Sequence, residues 1–462
     1  MTNSSLPVAE HGTTSGRPLS VLLLCDFGKR TPGAVVDHIS AIKQLSKNNI
    51  YVLNERGDFP EDLEVGRFDA MIIHYSLVAC SDDFVSEEKR NVIRDFKGYK
   101  AVFIQDDYRF INKTVNALAF MKINALLTLA DSRCMEQIYP SAKLPGVRKE
   151  TVLTGYVPEH LVKLEVPAFL DRPIDVGYRA RKLPAWLGSH TLQKWQIGEK
   201  FSDDANRYNL SVDISCREED RIYGQDWIRF ICNCKAVLGT ESGVSLADYA
   251  GEIQKNVEEH LIKYPGASFD VLKNLYFSDQ DGNIDFSVIS PRCFEAASLR
   301  TLMILYEGYY SGRLLPWRHY VPLKKDHSNM AEVVSVLRDP VRAQEIINSA
   351  YSEVALNQIN TYGAMVEIVD RVFDEEIKIE MLSTRPPYDD IRFEIAQIED
   401  SMLPRKVKKA IVEQLEAKIK RFITSFIPSW LKPAARAIYQ RGLWPIYAKI
   451  RYFILRNVGI AR

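Results

Sequence analysis

The sequence has little that could hold a metal or form a disulfide framework. Its seven cysteines (Cys25, Cys80, Cys134, Cys216, Cys232, Cys234 and Cys293) are scattered and odd in number. None forms a CxxC pair or joins histidines at metal-site spacing, which excludes a zinc module and a cross-linked secreted scaffold and implies a reducing compartment. Cys232-x-Cys234 falls in a helix-like stretch and reads as packing. Long apolar runs are missing too: nothing approaches the about 18 residues of a spanning helix. The polar first seventeen residues lack the apolar centre of a secretion signal. There is no internal repeat, and no GxGxxG follows an opening strand, which argues against a nicotinamide-dependent oxidoreductase. Net charge is also absent, Lys plus Arg and Asp plus Glu each totalling 60.

That neutrality conceals an asymmetry. Residues 405–462 carry fourteen Lys and Arg against Glu413 and Glu416, a net +12, so the rest of the chain carries −12. The basic segment holds Trp430, Tyr439, Trp444, Tyr447, Tyr452 and Phe453 in helix-length pieces broken by Pro428, Pro433 and Pro445. Basic amphipathic helices with interfacial aromatics suit an anionic membrane surface. A packing arm for an acidic partner is the alternative. Nucleic acid is not expected as a partner, because no recognised module accompanies the arm.

The 462 residues leave room for two or three cores, and 46% hydrophobic against 26% charged residues is a folded composition. A flexible tail (1–17) precedes short apolar strands at 20–25, 50–53, 70–74, 101–105, 125–129 and 150–154. Helix-length segments such as 34–45, 86–96 and 113–121 alternate with them. That alternation predicts a parallel, doubly wound sheet over residues 18–165. After a proline-containing linker a second series runs over 174–380, with strands at 174–178, 210–214, 236–239, 302–305 and 320–323 and closing helices at 341–354 and 362–377. Residues 381–462 form a linker and the basic helical arm. The fold class is therefore α/β: two Rossmann-like domains facing a cleft, where ligands of such folds bind.

Three segments of the second domain could meet an anionic nucleotide. Ser290-Pro291 can start a helix that places Arg292 in its first turn and Glu295 one turn on, beside Ala296 and Ala297. A helix start favours phosphate, and a guanidinium can grip it in bidentate fashion. Arg179, Arg181 and, a dozen residues later, Lys194 follow a strand and could neutralise a departing diphosphate. The loop Gly239-Thr240-Glu241-Ser242-Gly243 follows another strand and exposes backbone. An ordinary capped helix and solvated basic loops are the plain alternatives. In the first domain, His74 and the pair Asp106-Asp107 end strands, where a carboxylate can act as general base; helix capping and a structural histidine are their alternatives.

Together these segments resemble the nucleotide-sugar half of GT-B glycosyltransferases, particularly the bacterial polysaccharide and spore-coat types with an Arg-x-Phe-Glu helix, here Arg292-Cys293-Phe294-Glu295. The resemblance spans residues 19–377. It implies that Glu295 binds the donor ribose, that Glu241 lies near the donor sugar, and that Arg181 and Lys194 hold the diphosphate. With them, Arg179, Gly239, Ser242 and Arg292 would form the nucleotide-sugar site, and Gly28, Gly33 and His38 an acceptor loop. Catalytic candidates are Asp106, Asp107, His74 and Glu241. The chain departs from the family by separating Glu241 and Glu295 by 54 positions, across a helix-like insertion at 250–276. The implied function is transfer of a sugar from a nucleoside diphosphate to a hydroxyl acceptor in bacterial surface glycan assembly. Neither metal nor cofactor is expected, since the cationic cluster can serve the leaving group. The partners implied are the nucleotide-sugar donor and a glycan or lipid-linked acceptor, and the location cytoplasmic, peripheral on the membrane's inner face. A catalytically silent GT-B-like binding or assembly subunit is the rival.

Overall fold

The computed structural model describes residues 17–28, 31–61 and 63–384. The tail over 1–16, part of the acceptor loop and the basic arm at 405–462 lie outside the described residues.

The first sheet comprises β1 (Ser20–Cys25), β2 (Asn49–Asn54), β3 (Ala70–Ile73), β4 (Tyr99–Phe103), β5 (Ala125–Thr128) and β6 (Arg148–Thr151). All its strands are parallel, in the order β2-β1-β3-β4-β5-β6. Every residue of β1, β3, β4 and β5 is buried, as expected for strands covered by helices on both faces. Two boundaries differ from the apolar runs for a physical reason. β4 begins at Tyr99 because buried Lys100 joins it, its ammonium reaching the Phe96 carbonyl oxygen at 3.3 Å. β6 begins at Arg148 because it is an edge strand, where charged side chains are tolerated.

The second sheet is built from β7 (Ile174–Arg179), β8 (Val212–Ser215), β9 (Cys234–Gly239), β12 (Leu302–Tyr306) and β13 (Val321–Leu323), in the order β13-β12-β9-β7-β8 and again all parallel. Cys234 opens β9, whereas Cys232 lies in the preceding helix Gly224–Asn233, so the two do not share one helix. Between β9 and β12 the chain adds an antiparallel ribbon, β10 (Ser242–Val244) and β11 (Phe286–Val288), and two helices, Glu252–Lys263 and Phe269–Tyr276. Gly243 makes the ribbon possible: its φ is +113°, and a Cβ there would stand 1.8 Å from the Phe286 carbonyl oxygen.

The insertion belongs to the second domain by sequence but packs against the first. Ile253, Val257, Leu272 and Phe286 are buried in the same apolar cluster as β1, β3, β4 and β5. Arg133 joins Asp285 at 3.1 Å, and the Asn112 N–H donates to the Tyr249 carbonyl at 3.1 Å. The helix Tyr362–Glu376 also returns to the first domain, although its sequence position assigns it to the second. Asp370 accepts from Ser46 Oγ at 2.7 Å, the Lys47 N–H at 3.0 Å and Asn48 Nδ2 at 2.9 Å.

Asp107 proves to be a core residue of the first domain rather than a cleft carboxylate. It is 2% exposed and accepts from Thr128 Oγ1, from Tyr139 Oη at 2.7 Å and weakly from the Leu129 N–H. Burial pushes its carboxyl up to about 7 against the opposing pull of these donors. A carboxyl raised on folding stabilises most while protonated, so its contribution declines as pH rises from the ordinary aspartate range towards 7. Asp107→Ala strands two buried hydroxyls and should cost about 2–4 kcal/mol. In thermal melts the deficit should narrow between pH 5 and 7; a variant as stable as the parent at pH 5 would remove Asp107 from the structural role.

Candidate functional site

In each sheet the first strand lies between the second and third, so connections leave β1 and β7 in opposite directions and open a crevice at the carboxyl ends. The two crevices are used differently. In the first domain the crevice is closed by its own hydrogen bonds. Asp26 N–H donates to Ser76 Oγ at 2.8 Å, and Ser76 N–H donates to His74 Nδ1 at 3.0 Å. With Nδ1 accepting, His74 Nε2 carries the proton and donates to His38 Nδ1 at 3.1 Å. Burial lowers both rings below the usual histidine range, His38 to about 3. His74 and His38 are thus a neutral interior pair, and neither lines the cavity between the domains. Gly28 accepts from the Thr31 N–H within its turn and Gly33 starts the helix Gly33–Leu45; these too stand apart from that cavity.

The second domain's crevice is open. A cavity of about 530 Å³ lies over the ends of β7, β9 and β12, floored by Val237, Leu238, Met303 and Leu305 and faced across the cleft by Asp106, Tyr108 and Arg109. Arg181, Lys194, Gly239, Ser242 and Arg292 all line it. Each arrives for a local reason. Arg181 follows β7, Gly239 ends β9, and Lys194 sits in the first turn of the helix Gln193–Arg207. Pro291 opens the helix Pro291–Ser298 with Ser290 as its N-cap, so the helix's positive end and Arg292 face the cavity together. The first domain comes close here: a Cβ on Gly155 would stand 2.9 Å from the Pro291 ring.

Among the described residues Arg181, Lys194 and Arg292 form no ion pair with any carboxylate. Arg292 is held by its Nη1 donating to the Arg179 carbonyl and by the face of Trp227, 4.9 Å from its guanidinium carbon. Burial, then Arg292 and Arg181, lower the Lys194 ammonium to about 8, with Asp106 pulling the other way. A lysine lowered by burial and by two neighbouring guanidinium groups, none of the three paired with a carboxylate, makes a site suited to an anion.

Of the other predicted residues, Arg179, Glu241 and Glu295 lie outside the cavity and Asp106 within it. Arg179 faces away, bound to Asp213 at 2.8 Å and to the Asp220 carbonyl at 3.2 Å, so it ties β7 to β8. Glu241 turns from the cavity and accepts from the Tyr310 N–H at 2.7 Å, fixing the loop after β12. Glu295 accepts from Trp227 Nε1 at 2.8 Å and is absent from the cavity lining; its carboxyl is raised by burial. It therefore orients Trp227, which in turn carries Arg292. Asp106 is exposed in the cavity and accepts from Tyr108 Oη at 3.1 Å.

Three cavity residues escape sequence reading. Arg109, lodged between Phe110 and Trp186 at 5.1 and 5.5 Å, has a buried Nε with no hydrogen-bond partner. Its only signal was adjacency to Asp106 and Tyr108. Gln254 and Glu258 reach the cavity from the insertion, one helical turn apart. Among the described residues no group of three His, Cys, Asp or Glu could hold a metal ion, and no helix is long and apolar enough to cross a membrane.

No family model and no curated protein matches the chain. Among solved structures it is similar to Anabaena Alr3699/HepE in complex with UDP-glucose (10% identity, 77% of this chain and 100% of that one, TM-score 0.44). It is also similar to a structure described as trehalose-6-phosphate from E. coli bound with UDP-2-fluoro glucose (9% identity, 76% and 98%, TM-score 0.42). A third is an alpha-glucosyltransferase in complex with UDP and a 13-mer DNA containing a HMU base (7% identity, 78% and 100%, TM-score 0.46). At such identities the function must be argued from the chemistry of the site itself.

Inorganic pyrophosphate should bind this cavity, and Lys194→Ala should weaken binding about tenfold at pH 7. Because the free ammonium loses its proton as pH rises through about 8, the advantage of the parent over the variant should shrink by pH 9. Calorimetry at the two pH values checks this; a pH-independent ratio would mean that the Lys194 charge does not hold the anion.

Proposed function

We propose that the protein transfers a sugar from a nucleoside diphosphate to a hydroxyl acceptor. The observation that carries this reading is the meeting of Arg181, Lys194 and Arg292, without carboxylate partners, at a helix start over the sheet's switch point. In this reading the three cations hold the diphosphate, and the apolar floor beside Cys293 and Ala296 receives the nucleoside. The acceptor oxygen attacks the anomeric carbon while the bond from that carbon to the β-phosphate oxygen breaks. The electron pair leaves on the diphosphate, whose charge the cations meet. If configuration inverts, Asp106 takes the acceptor's proton, oriented by the Tyr108 hydroxyl. His74, Asp107, Arg179 and Glu241 hold the frame, and Glu295 positions Arg292 through Trp227.

We infer no need for a metal, because side-chain cations occupy the place a divalent ion would take. The acceptor we favour is a glycan or lipid-linked hydroxyl of bacterial surface assembly, reached from the cytoplasm with residues 405–462 on anionic lipid; the −12 of the remaining chain disfavours nucleic acid. A binding subunit without turnover is favoured by one observation, that neither Glu241 nor Glu295 lines the cavity.

Calorimetry with UDP, GDP, dTDP and ADP should find one that binds, with Arg181→Ala and Arg292→Ala each weakening it about tenfold. No binding by any of them overturns the reading. Release of diphosphate from the matching sugar nucleotide, unchanged by EDTA, separates an enzyme from a silent subunit. Loss on chelation, restored by Mg²⁺, would return the metal to the mechanism. Co-sedimentation of the full chain with anionic but not neutral vesicles, weakened by salt, tests the membrane assignment.

A further inference from the structure

The insertion that separates Glu241 from Glu295 supplies a wall of the cavity. Asp248, 7% exposed, accepts from the N–H groups of Gly251 and Gln254, both at 2.8 Å, and so fixes the start of the helix Glu252–Lys263. Ile253 and Val257 bury one face of that helix in the first domain's core. The adjoining face carries Gln254 and Glu258, which line the cavity and are joined by Gln254 Nε2 donating to Glu258 Oε1 at 2.8 Å. The amide fixes the carboxylate, and the helix fixes both. The cavity is therefore divided by charge. Its second-domain wall is cationic through Arg181, Lys194 and Arg292, whereas the facing side sets two carboxylates, Glu258 on the insertion and Asp106 on the first domain, against one guanidinium, Arg109.

A ligand matching this division is anionic where it meets the cations and uncharged or cationic where it meets the insertion. We propose that Gln254 and Glu258 select the transferred sugar, accepting a neutral or amine-bearing ring and refusing a uronate. The proposal rests on the nucleotide-sugar reading above and adds the class of sugar. An amide and a carboxylate side by side can donate to and accept from ring hydroxyls, while a second carboxylate facing Glu258 meets like charge at the cavity's exposed rim. Glu258 acts on specificity and takes no part in bond making.

The full chain is first titrated calorimetrically with UDP, GDP, dTDP and ADP, then with the hexose and hexuronate esters of the diphosphate that binds most tightly. The hexose ester should bind about tenfold or more tightly than the hexuronate. Glu258→Gln keeps the hydrogen-bonding shape and should bring the two esters to within about twofold, and Glu258→Lys should invert the preference; the ratio of the two esters is read, so a change in affinity for the free diphosphate cancels. Binding of a free diphosphate with equal affinity for both esters, or a preference that survives Glu258→Gln, overturns this proposal alone. Failure of every free diphosphate to bind overturns the nucleotide reading and this proposal with it.

Discussion

The structure depends on the return of the chain to its first domain after the second is complete. Two parallel sheets must each be covered on both faces, and the helix Tyr362–Glu376 helps cover the first sheet with its apolar face while Asp370 gathers three donors from residues 46–48. Together with the linker before β7 and the inserted ribbon and helices, this gives the two sheets three crossings. Their carboxyl ends are held towards one another, and the cavity inherits walls from both.

Against that frame the cationic cluster is a deliberate cost. Three like charges beside a helix's positive end repel, and this adds to burial in lowering the proton affinity of Lys194. Two guanidinium groups near the second sheet are neutralised or hand their donors to oxygens. Buried Arg172 donates to the Pro167, Cys234 and Leu299 carbonyls, and Arg179 is paired with Asp213. Among the described residues Arg181 and Lys194 have no such side-chain partner, and Arg292 has the Arg179 carbonyl alone. Strain of this kind is kept where a site needs it.

The sheets were legible because strands buried on both faces must be runs of Val, Ile, Leu and Ala, as in 20–25 and 302–305. Their limits were less so where charge enters a strand, as with Lys100 in β4 and Arg148 in β6. The cationic residues after β7 were legible as a group but not individually: Arg179 and Arg181 stand two apart, yet one is bound to the sheet and the other faces the cleft. Asp106 and Asp107 diverge in the same way between cavity and core. Neighbouring polar residues at a strand's end leave it towards different surroundings, and composition does not record which. Arg109, Gln254 and Glu258 were hidden because their place in the cavity is set by packing between segments far apart in sequence. The docking of the helix Tyr362–Glu376 escaped for the same reason, since its apolar stripe fits either domain.

The shared apolar cluster changes what counts as a unit in this chain. Residues 18–165 read as a domain with its own sheet, but its apolar cluster also takes in Ile253, Val257, Leu272 and Phe286, and the surface beside the helix Gly33–Leu45 is covered by the helix Tyr362–Glu376. A cut at the linker would therefore bare both surfaces on one fragment and strip the insertion of its support on the other. The second sheet has an apolar cluster of its own, but that of the first is completed only by residues from later in the chain, so during synthesis the first half waits, incompletely covered, until the helix Tyr362–Glu376 has been made.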